Sequence, residues 1–204
     1  MARNSSGKKT STSGSRTSSS TKDSSITRTA DESGKTPQSL RELFEDGLKD
    51  IYNAEKQLLD ALPEVAKAAD NEELSDAARN HLEETKKQVE RIEKVFNRLH
   101  MEVEEGSCQA MEGLIQETND IIEEYEAGPT RDAALIIGMQ KIEHYEMAVY
   151  GSLCELADVM GYPKIADILD RTLEEEENAD KMLTDIARDV NEEALEMSES
   201  EMQY

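Results

Sequence analysis

The sequence has no tryptophan, 4% aromatic residues, ten glycines and four prolines in 204 residues. Sandwiches and barrels draw on aromatic and β-branched side chains and on many turns, so this scarcity argues against an all-β fold. Cysteine is as sparse. Cys108 and Cys154 stand 46 positions apart with no C-x-x-C, which supports neither a disulfide framework nor a cysteine metal cluster and fits a reducing cytoplasm. No apolar run approaches the roughly 18 to 20 residues of a membrane span, and no short apolar signal region follows the charged N-terminus. A soluble, unsecreted protein with no membrane partner is expected. Positive charge is outnumbered, with 23 Lys and Arg against 46 Asp and Glu.

What is abundant is Ala, Leu, Glu and Lys, the composition of helices. The exception is residues 1 to 37, where 18 positions are Ser or Thr and seven Lys or Arg face three acids. Such a tract has too little apolar surface to offset ordering its backbone, which predicts a disordered basic tail. The tail carries +4 and the rest of the chain −27, for the −23 of the whole. So acidic a body excludes nucleic acid as its partner.

From residue 38 the helical period is continuous apart from short breaks. Ser39 caps a first helix to about Ala69, with Pro63 kinking its last turns. The Asp70-Asn71 turn starts a second, from about Glu72 to Val103. A short one follows at Gln109 to Glu126. Gly128-Pro129 opens a long helix through Met160, and Gly161-Tyr162-Pro163 turns into the last, to about Val190. Four long helices and one short predict an all-α antiparallel four-helix bundle over 38 to 190, the short helix lying in the crossover. Residues 191 to 204 read as a frayed acidic C-terminus.

Carboxylates interrupt the apolar stripes that should face the core. The first helix reads Leu48, Ile51, Tyr52, Glu55, Leu58, Leu59, Leu62, with an acid where a leucine belongs. The second helix is polar in mid-stripe, at His81, Thr85 and Gln88, with Glu84 beside them. The fourth places Glu143 and Glu146 on consecutive inward turns, and the last places Glu176 and Asp180 among leucines. Glu55 lies about 15 residues before the Asp70-Asn71 turn and Glu84 about 13 after it, so the two share a layer. Glu143, Glu146, Glu176 and Asp180 share another, measured from Gly161. If the hairpins pack face to face, five Glu and one Asp converge inside the bundle. Uncompensated, they would cost several kcal/mol per ion in desolvation alone. No inward Lys or Arg answers them, although Lys87, Arg91 and Lys141 flank the layer. Two iron or manganese ions would neutralise the set, whereas zinc would favour more Cys and His. The alternative is a loosely packed core of protonated or solvated acids. Tyr52 and Tyr150, one turn from Glu55 and Glu146, are candidates to hydrogen-bond the ligands.

The runs DIYNAEKQLLDALPEVAKAA, HLEETKKQVERIEKVF, KIEHYEMAVYGSL and TLEEEENADKMLTDIA, in that order, resemble the YciE/YciF family of stress-associated proteins, whose fold is ferritin-like and related to rubrerythrin. By that resemblance Glu55 matches the first-helix carboxylate of di-iron sites and Glu84 the second-helix one. Glu143 and Glu146 match the E-x-x-E pair, and Glu176 the carboxylate of the last helix. Rubrerythrins carry a His three residues after the second-helix and last-helix Glu, where this chain has Lys87 and Ala179. Asp180 is the candidate substitute for one imidazole, and His81 or His144 for the other. The resemblance implies a homodimer and a di-metal site able to reduce oxygen or peroxide. Without a rubredoxin-like C-x-x-C, turnover would draw on an external electron donor. Metal sequestration without turnover and a non-catalytic bundle acting through a protein partner are the alternatives.

Overall fold

The computed structural model describes residues 39 to 104 and 106 to 201. The expected disordered tail at 1 to 37 and the last three residues of the expected frayed end lie outside the described residues. Helix α1 spans Leu40–Ala68 and is opened by a capping box. The Ser39 hydroxyl accepts the Glu42 N–H at 3.1 Å while the Glu42 carboxylate accepts the Ser39 N–H at 3.1 Å, satisfying two donors that the first turn leaves without partners. Pro63 sits inside α1 without ending it, in a turn held by buried Leu62, Val65 and Ala66.

Helix α2 spans Glu72–Leu99, with the Asn71 carboxamide accepting the Leu74 N–H at 3.0 Å. It stops short of the expected Val103 because His100 takes a left-handed backbone, φ 57°. The His100 and Met101 N–H groups then turn back onto the Asn97 and Phe96 carbonyls. Helix α3, Gln109–Glu124, occupies the crossover. Its approach is anchored on α1, where the Gly106 N–H bonds to the Lys49 carbonyl at 3.2 Å and Cys108 N–H to Asn53 Oδ1 at 2.8 Å. A Cβ at Gly106 would stand 2.9 Å from the Lys49 backbone, so only glycine lets the two chains touch there. Helix α4, Pro129–Val159, begins after Gly128, whose φ of 140° few side chains tolerate.

Helix α5, Pro163–Glu201, corrects the expected end at Val190. No Gly or Pro follows Pro163, and Met197 and Ser198 lie beside the α3–α4 turn at Tyr125 to Thr130. The fold is the expected all-α, ferritin-like one: hairpins α1–α2 and α4–α5 joined by a long crossover carrying α3. Around the bundle α1 neighbours α2 and α4, and α5 neighbours the same two. Every neighbouring pair runs antiparallel, since Gly47 meets Leu153 at one end of α1 while Asp70 meets Asp132 at the other. That second contact fixes the hairpins in height. The Asp132 carboxylate accepts the Asp70 and Asn71 N–H groups at 3.0 and 2.7 Å, and Arg131 bonds Asp70 Oδ2 at 3.1 Å.

A candidate metal centre

Midway along the bundle the apolar core gives way to acids. Glu55 comes from α1, His81 from α2, Glu143 and Glu146 from α4 and Glu176 from α5, and all five are buried, none more than 3% exposed. They point inward because each replaces an apolar residue in the stripe its helix must bury. His81 Nε2 lies 3.5 Å from Glu143 Oε1, 3.9 Å from Glu176 Oε2 and 4.0 Å from Glu146 Oε2. One ligand atom from each of these four residues falls within 4.8 Å of the others. Glu55 adds a carboxylate whose Oε1 accepts the Tyr150 hydroxyl.

The polar atoms facing this space lack partners. Both His81 nitrogens, both Glu146 oxygens, Glu55 Oε2, Glu143 Oε2 and Glu176 Oε2 are buried with no hydrogen bond. Each such group left unpaired costs about 1 to 3 kcal/mol. Burial, reinforced by the other carboxylates, raises Glu55, Glu143 and Glu146 well above the usual carboxylate range. Burial also raises Glu176, to about 7, and lowers His81 to about 4, so its imidazole is neutral and able to act as a ligand. Converging oxygen donors plus one neutral imidazole, with no Lys or Arg among the cluster residues, could hold a metal cation.

The surrounding side chains hold the carboxylates by their outer atoms. The Gln88 amide donates to Glu176 Oε1 at 2.5 Å and to Glu175 Oε2 at 3.2 Å. Arg91 does not reach the cluster; its guanidinium clamps Glu175 at 2.5 and 2.6 Å and touches Thr172 Oγ1 at 3.2 Å. Of the two tyrosines, Tyr150 reaches a cluster carboxylate, whereas the Tyr52 hydroxyl donates to Glu93 at 3.0 Å.

Of the eight candidate ligands, four therefore bring donor atoms together, Glu55 is buried with them and bonded to Tyr150, and three lie outside. Glu84 is half-buried on the wall of a cleft between α2 and α5. One turn from both His81 and Gln88, it trails the inward row by about 60° on an ideal helix, enough to turn it from the interior. Asp180 is half-buried and accepts from Gln140 Nε2 at 3.0 Å. His144 is 66% exposed, its Nε2 3.2 Å from Asp180 Oδ1, as the 100° step from Glu143 requires. The role of Gln88 went unassigned by pattern alone, and its signal was its place in the inward row of α2. The Arg91–Glu175 clamp left no signal, because flanking charges on two helices show no mutual register in sequence.

Residues 39 to 196 match the model of a family described as a domain of unknown function, DUF892. Among curated proteins, YciF of Escherichia coli K12 is 48% identical over 151 residues, covering 74% of this chain and 91% of its own length. The crystal structure of the E. coli stress protein YciF superposes with a TM-score of 0.74 at 46% identity, covering 76% of this chain and 99% of that one. YcfI of Rhodopseudomonas palustris gives a TM-score of 0.71 at 39% identity, over 72% and 94% of the two chains. A protein of Xanthomonas campestris pv. campestris, 19% identical with a TM-score of 0.63 over 79% of this chain and 99% of that one, shares the fold.

Proposed function

The chain belongs to the DUF892 family and is a homologue of the stress protein YciF; from that premise we propose that it is a di-metal carboxylate protein that protects against oxidants. The observation that carries this reading is the set of buried donor atoms without partners at one point of the bundle. Four carboxylates and a neutral imidazole balance two divalent cations in charge. Glu55, His81, Glu143, Glu146 and Glu176 would hold them, as iron or manganese.

Such ions, when bound, supply one-electron chemistry toward oxygen or peroxide. The chain's own residues prepare the place. Tyr150 fixes Glu55 by one oxygen and leaves the other free, and Gln88 does the same for Glu176. The clamp of Arg91 on Glu175 tethers α2 to α5 beside them. The apolar residues above and below in the same stripes, Leu58 and Leu153 among them, are buried. Cys108 and Cys154 are free thiols in no C-x-x-C pair, which supports an electron donor outside the chain. A homodimer in the cytoplasm is part of the proposal. No helix among the described residues is long and apolar enough to cross a membrane.

Elemental analysis of the full chain, purified without chelators after growth in iron or manganese, should give about two ions per chain. A content near zero would overturn the proposal. Metal binding without turnover is the second reading, favoured by the single imidazole in the cluster. Peroxide consumption by the loaded protein with a reductant separates the two.

A further inference from the structure

The cluster is sealed on the α1 side, where Tyr150 and Glu55 are 0% exposed. On the α2–α5 side it is open. A cleft of about 310 Å3 runs in between these helices, and His81 and Glu143 form part of its lining. Ala77 on α2 and Ala179 on α5 are among its lining residues, and their side chains are short. The cavities beside Pro63 and beside Tyr125 touch none of the five cluster residues.

Two independent features say what the cleft admits. Inside, it is lined by His81 and Glu143, which carry buried, unpartnered atoms: both imidazole nitrogens and Glu143 Oε2. Outside, it shares Ala77, Asn80, Asn178 and Met182 with a wider vestibule where Glu73, Asp76, Asp185 and Asp189 outnumber Lys181. Glu84 is half-buried on the cleft wall, one turn from His81 and outside the cluster. Fields from like charges along a low-dielectric groove concentrate ions of the opposite sign.

We infer that the α2–α5 cleft is the route by which divalent cations reach the buried cluster, with Glu84 as the carboxylate that first takes the ion from water and passes it to His81 and Glu143. This rests on the metal-binding reading above. Glu84 is thus a positioning residue of uptake and not a resident ligand. The short side chain of Ala179 leaves the passage its width on the α5 side.

The test uses the metal-free full chain and Mn2+, following loss of the free-ion paramagnetic resonance signal after rapid mixing and the content at equilibrium. Helical circular dichroism verifies that each variant folds. Ala179→Leu, which narrows the passage, should slow uptake about tenfold or more, and Glu84→Gln, which removes the charge at constant size, about threefold to tenfold. Both should reach the wild-type content. Added NaCl should slow the wild type more than Glu84→Gln. Wild-type rates in both variants would overturn the inference while leaving the metal site intact. A lowered final content in Glu84→Gln would overturn the transfer role, since Glu84 would then be a permanent ligand. A wild type that takes up no Mn2+ would overturn the metal reading and this inference together.

Discussion

A carboxylate placed where leucine belongs acts in opposite senses with and without a cation. In the metal-free protein Glu143 and Glu146 are buried acids with unpaired oxygens, so replacing both with Ala relieves desolvation and mutual repulsion at the cost of two small cavities. Loaded, the same residues bind an ion that the unfolded chain does not hold. Free ion at a thousand times its dissociation constant then adds about 4 kcal/mol. Glu143→Ala with Glu146→Ala should therefore abolish metal binding, leaving a melting temperature indifferent to added metal and below that of the loaded wild type. Anaerobic thermal melts with and without iron check this. A double mutant more stable than a metal-indifferent wild type would mean a merely polar core.

Helix ends set the heights at which these residues meet. The one non-glycine residue with positive φ among those described is His100, at the C-terminus of α2. A side chain there strains the backbone, so His100→Gly should stabilise the protein by about 0.5 to 1 kcal/mol in urea denaturation, with metal content unchanged. Measuring height from the nearest turn places the acids of each hairpin in one layer. The two turns lie at opposite ends of the bundle, because Asp132 at the start of α4 holds the Asp70-Asn71 turn. The layers nonetheless coincide. α1 and α4 are 29 and 31 residues long, so an acid about 15 residues from either end is at the middle of both.

On the scale of the whole molecule, pH should reveal the cluster. Glu55, Glu143, Glu146 and Glu176 have folded values raised above their unfolded ones. Their contribution to stability is therefore full below the unfolded carboxylate value near 4.5 and is lost as pH rises, for Glu176 through about 7. His81, lowered from 6.5 to about 4, works the other way, losing its contribution as pH falls through that interval. Above pH 6.5 the imidazole is neutral folded or unfolded, and only the carboxyl groups act. The metal-free protein should thus lose melting temperature from pH 6.5 to 8. The loaded protein should resist that loss, because metal holds the acids deprotonated, and loading should release protons. Titration of metal-free and loaded samples by calorimetry reads both. Light scattering should give about twice the 22.8 kDa chain mass for the proposed dimer. A large closed shell would point to storage instead.

The all-α class, the helix starts at Ser39, Asn71 and Pro129, and the inward places of Glu55, Glu143, Glu146 and Glu176 follow from periodicity and capping, which are local and therefore written along the chain. Rotation within a stripe is not. His81 and Glu84 are one turn apart, and only the packing of α2 against α5 decides that the imidazole enters the cluster while the carboxylate stays in the cleft. The same holds for Asp180, which pairs outside the cluster with His144. The length of α5 beyond Val190 also depended on tertiary structure, where Met197 meets the α3–α4 turn. Sequence spacing fixes which face of one helix a residue occupies to within a turn. The last tens of degrees belong to the neighbouring helices, which bury one side chain of a pair and leave the other at the edge.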